Sequence, residues 1–194
     1  GSMFVWIPRY AYKIVKGYHG EGLSYSKQSS LSDSTKQGGT IDILFLNGTT
    51  NNTFNNKTID SSNTDSKSDY VVSPAFKFGD EELQGIWVAK YEASRTDSTD
   101  SDQGKQQILS FKDNSLSITN YNIDNAMYYC RDMEKQNVYG WNKQSGTILN
   151  TGDIAEDSNN FDTHLMKNVE WGAVCYLAES KFGANKEITG NTSL

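Results

Sequence analysis

The sequence predicts an α+β fold. Three observations carry that expectation: short β-branched and aromatic segments separated by polar runs, two later segments with apolar residues at helical spacing, and a length of 194 residues that suits one core. Strand character opens the chain. The run Phe4-Val5-Trp6-Ile7-Pro8-Arg9-Tyr10-Ala11-Tyr12-Lys13-Ile14 is aromatic and β-branched. Pro8 cannot donate to a ladder, so it divides the run into two short strands. Gly17 to Gly22 then reads as a turn.

From Leu23 to Asp69 the side chains are mostly Ser, Thr, Asn, Asp and Gly, which compete with regular backbone pairing. Residues 23–69 are therefore expected to form a polar surface insertion with mobile ends, containing a short strand at 41–46. Asn47-Gly48-Thr49 and Asn56-Lys57-Thr58 match the glycosylation acceptor pattern. In a tract this rich in Asn and Thr, such matches arise by chance.

Tyr70 to Gly79 leads into Gly85-Ile86-Trp87-Val88-Ala89-Lys90-Tyr91-Glu92, another strand. Ile86 and Val88 share one face, while Trp87, Ala89 and Tyr91 share the other. Both faces are mostly apolar, which predicts a central strand. Trp6, Trp87 and Trp171 are accordingly expected in the core. A polar loop from Arg95 to Lys105 separates this strand from Ile108-Leu109-Ser110-Phe111.

Two helices follow. Ile123, Ala126, Met127, Cys130 and Met133 make one apolar stripe, with Asn122 as N-cap and Asp124 in the first turn. The second helix runs from about Lys167 to Ser180. Its apolar residues, Val169, Trp171, Ala173, Val174, Tyr176, Leu177 and Ala178, lie nearly all round, so it is expected to be buried on several sides. Gly183 supplies its C-terminal stop. Tyr139 to Asp162 is a second polar loop.

Composition narrows the function. A net charge of −6 and a pI near 4.9 leave no concentrated basic face for a phosphate backbone, so no nucleic-acid partner is expected. No apolar run approaches the span of a bilayer, and membrane insertion is not expected. Gly1-Ser2 reads as a tag remnant, which leaves an upstream signal, anchor or domain open. The two cysteines, Cys130 and Cys175, are too few for a disulfide framework and lack metal-ligand spacing. They read as small buried thiols, with a single disulfide as the alternative.

The order of these elements resembles the formylglycine-generating-enzyme/sulfatase-modifying family, which has a C-type-lectin-like fold. In that family a strand ending in Tyr-Glu precedes a helix of the form A-x-x-Y-C, and a second helix follows, entered by L-P-T-E-A-E-W-E-x-A. Here Tyr91-Glu92, Ala126, Tyr129-Cys130, Leu165, Glu170-Trp171 and Ala173 stand at the matching places, while Met166 and Lys167 replace Pro-Thr. The likeness is closer still to surface or phage-tail proteins of Firmicute genomes and their prophages. It covers the N-terminal strand and about residues 70–183. It implies that 1–194 is a single C-type-lectin-like domain incomplete at its C-terminus, with two helices packed on a twisted antiparallel sheet among long irregular loops. It also implies an extracellular, cell-surface or virion location. The enzymes of the family continue into a segment that holds their redox cysteines, and Cys130 and Cys175 match helix positions instead. No catalytic residue is therefore carried over, and neither a cofactor nor a metal ion is expected. A sheet edge left by a missing C-terminal part would be a place for homo-oligomers or another protein to pair.

The remaining candidates follow from side-chain chemistry. Asp97 to Gly104 is an acidic loop, but its spacing fails the EF-hand pattern and it reads as solvated. His19 reads as a turn residue and His164 as a local hydrogen-bonding residue. Glu92 and Glu170 read as structural, with Glu170 meeting unsatisfied donors at a helix start. The tyrosines Tyr10, Tyr12, Tyr18, Tyr25, Tyr121, Tyr128 and Tyr139 are expected to be exposed with Trp141. Broad rings beside polar amides suit recognition of glycan or protein. Tyr121, Tyr139, Trp141 and Asn142 are the ligand-binding candidates. The reading is a non-catalytic binding or display domain of a phage tail or bacterial surface protein, with a glycan or surface protein as partner. Its rivals are a fragment of a formylglycine-generating-type oxidase without its catalytic half, and a structural spacer in a tail or pilus assembly.

Overall fold

A computed structural model describes residues 1–16, 40–59, 70–95, 108–119, 122–133 and 162–185. Its architecture is mixed α+β, with two helices and several small antiparallel sheets. The strands, in chain order, are β1 (Phe4–Pro8), β2 (Tyr10–Lys16), β3 (Thr40–Phe45), β4 (Val71–Val72), β5 (Lys77–Phe78), β6 (Glu81–Glu82), β7 (Gly85–Ala89), β8 (Ser94–Arg95) and β9 (Leu109–Ser110). The helices are α1 (Ile123–Asp132) and α2 (Asn168–Glu179). The chain divides into two compact units, Gly1–Val5 with Trp87–Met166 and Trp6–Ile86 with Lys167–Leu194, so the division falls inside both β1 and β7.

The second unit is built on a sheet of order β3-β2-β4. β2 and β3 pair antiparallel from Tyr10 opposite Phe45 to Lys16 opposite Thr40, with a bulge between Ile14 and Lys16. Ile41 and Ile43 alternate with Asp42 and turn inward, as the period of two requires. Tyr10 and Ala11 are both buried, so β2 is covered on both faces at this end. The Tyr10 ring meets Phe76 edge-on at 5.2 Å, and its hydroxyl donates to the Ala173 carbonyl of α2 at 2.5 Å. Tyr12 and Tyr176 pack their rings at 4.7 Å. Ser73 accepts from the Ala75 N–H and Pro74 occupies the first turn, which starts the short 3-10 helix that buries Phe76. β5 and β6 then close a hairpin through Gly79-Asp80, where Gly79 takes a φ of +59° that a Cβ would disfavour.

The first unit gathers Leu109, Phe111, Tyr129 and Met133 into one buried cluster, with Phe4, Ala89, Ala93, Ile118 and Cys130 packed against it. Phe4 and Phe111 lie 5.3 Å apart. β8 and β9 pair with Ser94 opposite Ser110. The N-terminus is stitched in by Met3 N–H to the Phe111 carbonyl and Lys90 N–H to the Met3 carbonyl. α1 begins where expected, with the Asn122 side chain accepting from the Asn125 N–H at 2.8 Å.

Three core expectations are overturned. Trp6, Trp87 and Trp171 are all exposed, Trp87 to 67% and Trp171 to 56%. Where two apolar faces predict a central strand, β7 pairs with β1 alone among the described residues. α2 buries only Glu170 and Ala173 completely, because it meets the 3-10 segment and β3 along one side and leaves Val169 and Trp171 outward. In α1 the buried residues are Tyr129, Asp132 and Met133. Ile123 and Met127 of the expected stripe are exposed, since the large Tyr129 ring turns the helix toward Leu109 and Phe111.

Candidate functional site

The ligand-binding candidates Tyr121, Tyr139, Trp141 and Asn142 lie outside the described residues. So do Tyr18, Tyr25, His19 and the acidic loop Asp97 to Gly104. Of the other tyrosines expected at the surface, Tyr128 is exposed and Tyr12 is half-buried. Tyr10 is fully buried, a correction with a simple cause: its side of β2 faces α2, and a phenol can enter a core when its hydroxyl finds the Ala173 carbonyl.

What the structure assembles in the second unit is a folded loop after β3. Leu46 bridges Thr53, and Asn52 bridges Thr58. Asn47 N–H donates to the Asn52 carbonyl at 2.7 Å, Thr53 N–H to the Lys57 carbonyl at 2.8 Å, and Ile59 N–H to the Asn51 carbonyl at 2.9 Å. Short polar side chains finish the pairing. The Thr50 hydroxyl donates to the Asn47 carbonyl and Thr58 donates to the Asn52 amide oxygen, both at 2.8 Å. Gly48 and Asn56 supply the two left-handed turns, with φ of +60° and +56°. A tract of Asn and Thr therefore folds here because its side chains replace the missing sheet partners.

Arg9 is the anchor of this loop. It is 2% exposed, and its Nη1 donates to the Phe76 carbonyl at 3.1 Å, the Leu83 carbonyl at 3.4 Å and Glu82 Oε2 at 2.5 Å. Its Nη2 donates to Asn51 Oδ1 at 3.2 Å. The planar fork reaches several acceptors at once, which a lysine cannot do. Among the described residues, the buried Arg9 Nε has no hydrogen-bond partner.

Above the anchored loop the rings of Phe54, Phe45 and Phe182 form a ladder. Phe45 meets Phe54 edge-on at 6.5 Å and Phe182 edge-on at 4.8 Å. Phe54 is 66% exposed and Phe182 is 51% exposed. The Lys181 ammonium sits 5.1 Å from the Phe182 centroid. Asn47, Asn55 and Asn56 are exposed and, among the described residues, make no side-chain hydrogen bond. Sequence reasoning missed this surface. Its legible trace is that residues 43–56 carry no charge in a chain with 22% charged residues.

In the first unit, Asp162 accepts from Arg131 of α1 and pairs with the His164 ring, while the Thr163 hydroxyl donates to the Cys130 carbonyl at 2.7 Å. This ties 162–164 to the last turn of α1, the local hydrogen-bonding role expected of His164. Glu170 likewise accepts the Lys167 N–H at 2.7 Å at the start of α2. Cys130 and Cys175 carry free thiols. Burial pushes both thiols above their ordinary range, and the Glu179 carboxylate adds to the shift at Cys175. A raised thiol is a poor nucleophile at neutral pH. Among the described residues no group of three His, Cys, Asp or Glu side chains is placed to hold a metal ion, and no helix is long and apolar enough to cross a membrane.

No protein-family model, curated protein or solved structure matches the chain significantly.

Proposed function

We propose that this chain is a non-catalytic ligand-binding or display domain with a C-type-lectin-like fold, carried by a phage tail or a bacterial surface protein. The observation that supports this reading most is the exposed Phe54–Phe45–Phe182 ladder on a loop with paired backbone groups. Leaving two large rings in water forgoes burial worth about 1.5–3 kcal/mol each, a sacrifice expected where a partner covers them. The loop needs little further ordering on binding, which favours affinity. The mixed α+β architecture is the class such a fold belongs to.

The test is to display the intact chain to an array of bacterial glycans and surface proteins and to whole Gram-positive cells. Saturable binding by at least one class is the expected outcome. Absence of binding across all three would defeat the reading and favour a spacer role.

A further inference from the structure

We propose that Asn47 is a site of self-modification, at which the Gly48 peptide nitrogen displaces the side-chain amide and leaves a mixture of aspartate and isoaspartate. The inference is independent of any ligand. Asn47-Gly48 is the single Asn-Gly pair in the sequence. It stands at the first corner of the loop after β3, where Gly48 takes a φ of +60°. Glycine has no side chain to shield this nitrogen, and a Cβ built at Gly48 meets nothing within 4 Å, so water also has room to enter. Asn47 is exposed and, among the described residues, its amide makes no hydrogen bond, which leaves the carboxamide free to swing onto the nitrogen.

The attacking nitrogen must first give up its proton, and the charge it gains is shared with the Asn47 carbonyl oxygen through the peptide bond. That oxygen accepts from the Thr50 hydroxyl at 2.8 Å and from the Thr50 N–H at 3.3 Å, two donors placed where the charge develops. The proton passes to water or hydroxide, and the nitrogen lone pair then forms a bond to Asn47 Cγ. The Cγ–N bond of the carboxamide breaks, ammonia leaves, and a cyclic imide joins the two residues. Water opens the imide. Addition at Cγ yields aspartate, and addition at the main-chain carbonyl carbon yields isoaspartate, whose backbone runs through Cβ and Cγ. In sum an amide and water become a carboxylate and ammonium, with no oxidant, reductant or cofactor.

The other asparagines of the loop are protected by its hydrogen bonds. Asn51 precedes Asn52, whose N–H donates to the Thr50 hydroxyl at 3.3 Å. Asn52 precedes Thr53, whose N–H donates to the Lys57 carbonyl at 2.8 Å, and Asn55 precedes Asn56, whose N–H donates to the Thr53 carbonyl at 2.8 Å. Asn56 precedes Lys57, whose N–H donates to the Thr53 hydroxyl at 3.3 Å. Two of the amides are engaged as well, Asn51 by Arg9 and Asn52 by Thr58. A nitrogen held in a hydrogen bond has to break it before it can attack. The Gly48 N–H makes no such bond among the described residues. Conversion places a negative charge at the corner, and isoaspartate lengthens the backbone between Leu46, which bridges Thr53, and Thr50. The converted chain therefore differs from the fresh one in charge and in the path of the loop.

The experiment holds the intact chain in mildly alkaline buffer, folded and in urea, and follows residue 47 by peptide mass mapping. Asn47→Gln and Lys57→Gly are carried alongside. The second variant places another Asn-Gly pair after Asn56, at an exposed position whose backbone N–H is bonded. The expected result is a gain of about 1 Da confined to residue 47 of the folded chain, eluting as two isomers, and loss of that gain in Asn47→Gln. Folded Lys57→Gly gains mass at Asn47 well before Asn56, while in urea the two positions convert at similar rates. A folded chain that keeps its Asn47 amide while the urea-treated chain loses it overturns the proposal, because the fold then shields the site. So does a product that is aspartate alone, which direct hydrolysis without the imide would leave. Equal rates at Asn47 and Asn56 in folded Lys57→Gly overturn it too, since adjacency to glycine and not the free N–H would then decide. If that variant does not fold, the unaltered chain compared with and without urea decides alone.

Discussion

Replacing Arg9 with methionine tests how the loop after β3 is held. The substitution keeps most of the stem's volume and removes the fork. It removes one of two bonds to the Phe76 carbonyl, which still accepts the Leu83 N–H, a loss of about 0.5–1.5 kcal/mol. It also frees the Asn51 amide, worth about 0.5–1.5 kcal/mol for a bond to an exposed partner. The ion pair adds little, because Glu82 is 42% exposed and rehydrates, and surface pairs contribute about 0–1 kcal/mol. Against these losses, methionine avoids burying a charge and removes the unpartnered Nε. The net expectation is a loss of about 1–2 kcal/mol. Urea denaturation of the two proteins measures it, and amide exchange locates it at Leu46, Asn47 and Thr53, whose N–H groups are bonded within the loop or to the carbonyl of residue 9. A control, Glu82→Gln, costs less than about 1 kcal/mol. An Arg9→Met protein within about 0.5 kcal/mol of the parent refutes the anchoring argument. So does a Glu82→Gln variant as unstable as Arg9→Met, which would place the energy in the ion pair.

Three further outcomes follow from the geometry. Gly85→Ala places a Cβ 2.4 Å from the Ile7 carbonyl and 2.5 Å from the Trp6 ring, so backbone must move; a loss of about 1–3 kcal/mol is expected by thermal melting, and an unchanged midpoint contradicts the packing. Burial raises the Tyr10 phenol above its ordinary value of 10.0, helped by Tyr12, Tyr176 and Cys175. Its contribution to stability is therefore complete below pH 10 and is lost as pH climbs through the raised value, so alkaline unfolding should begin above pH 10 and be blunted in Tyr10→Phe; an identical pH profile for the two proteins removes Tyr10 as the cause. Cys130 and Cys175, partly buried and with thiols raised by that desolvation, should react with iodoacetamide more slowly than glutathione at pH 8 and reach its rate only in denaturant; fast labelling of the folded chain contradicts the raised thiols.

Local signals were enough for several elements. Pro8 separates β1 from β2 because a proline cannot extend a ladder. Asn122 marks the start of α1 because its amide oxygen meets an orphan N–H, and Glu170 does the same at α2. His164 beside Asp162 is a contact within three residues, which a sequence can propose. Each of these is settled by chemistry between near neighbours.

The candidate surface depended on distant partners. Phe45, Phe54 and Phe182 come from a strand, a loop tip and the segment after α2, and only the fold brings those rings together. Arg9 looked like one more residue of an N-terminal strand, yet it bonds to groups 42 to 74 positions away. The sequence by itself determined the break between β1 and β2 and the starts of α1 and α2, because a proline and helix caps act over a few bonds. It could not decide which apolar face would be covered. Tyr10 entered the core and Trp6, Trp87 and Trp171 stayed outside it, since burial depends on what packs opposite a side chain and not on its hydrophobicity alone.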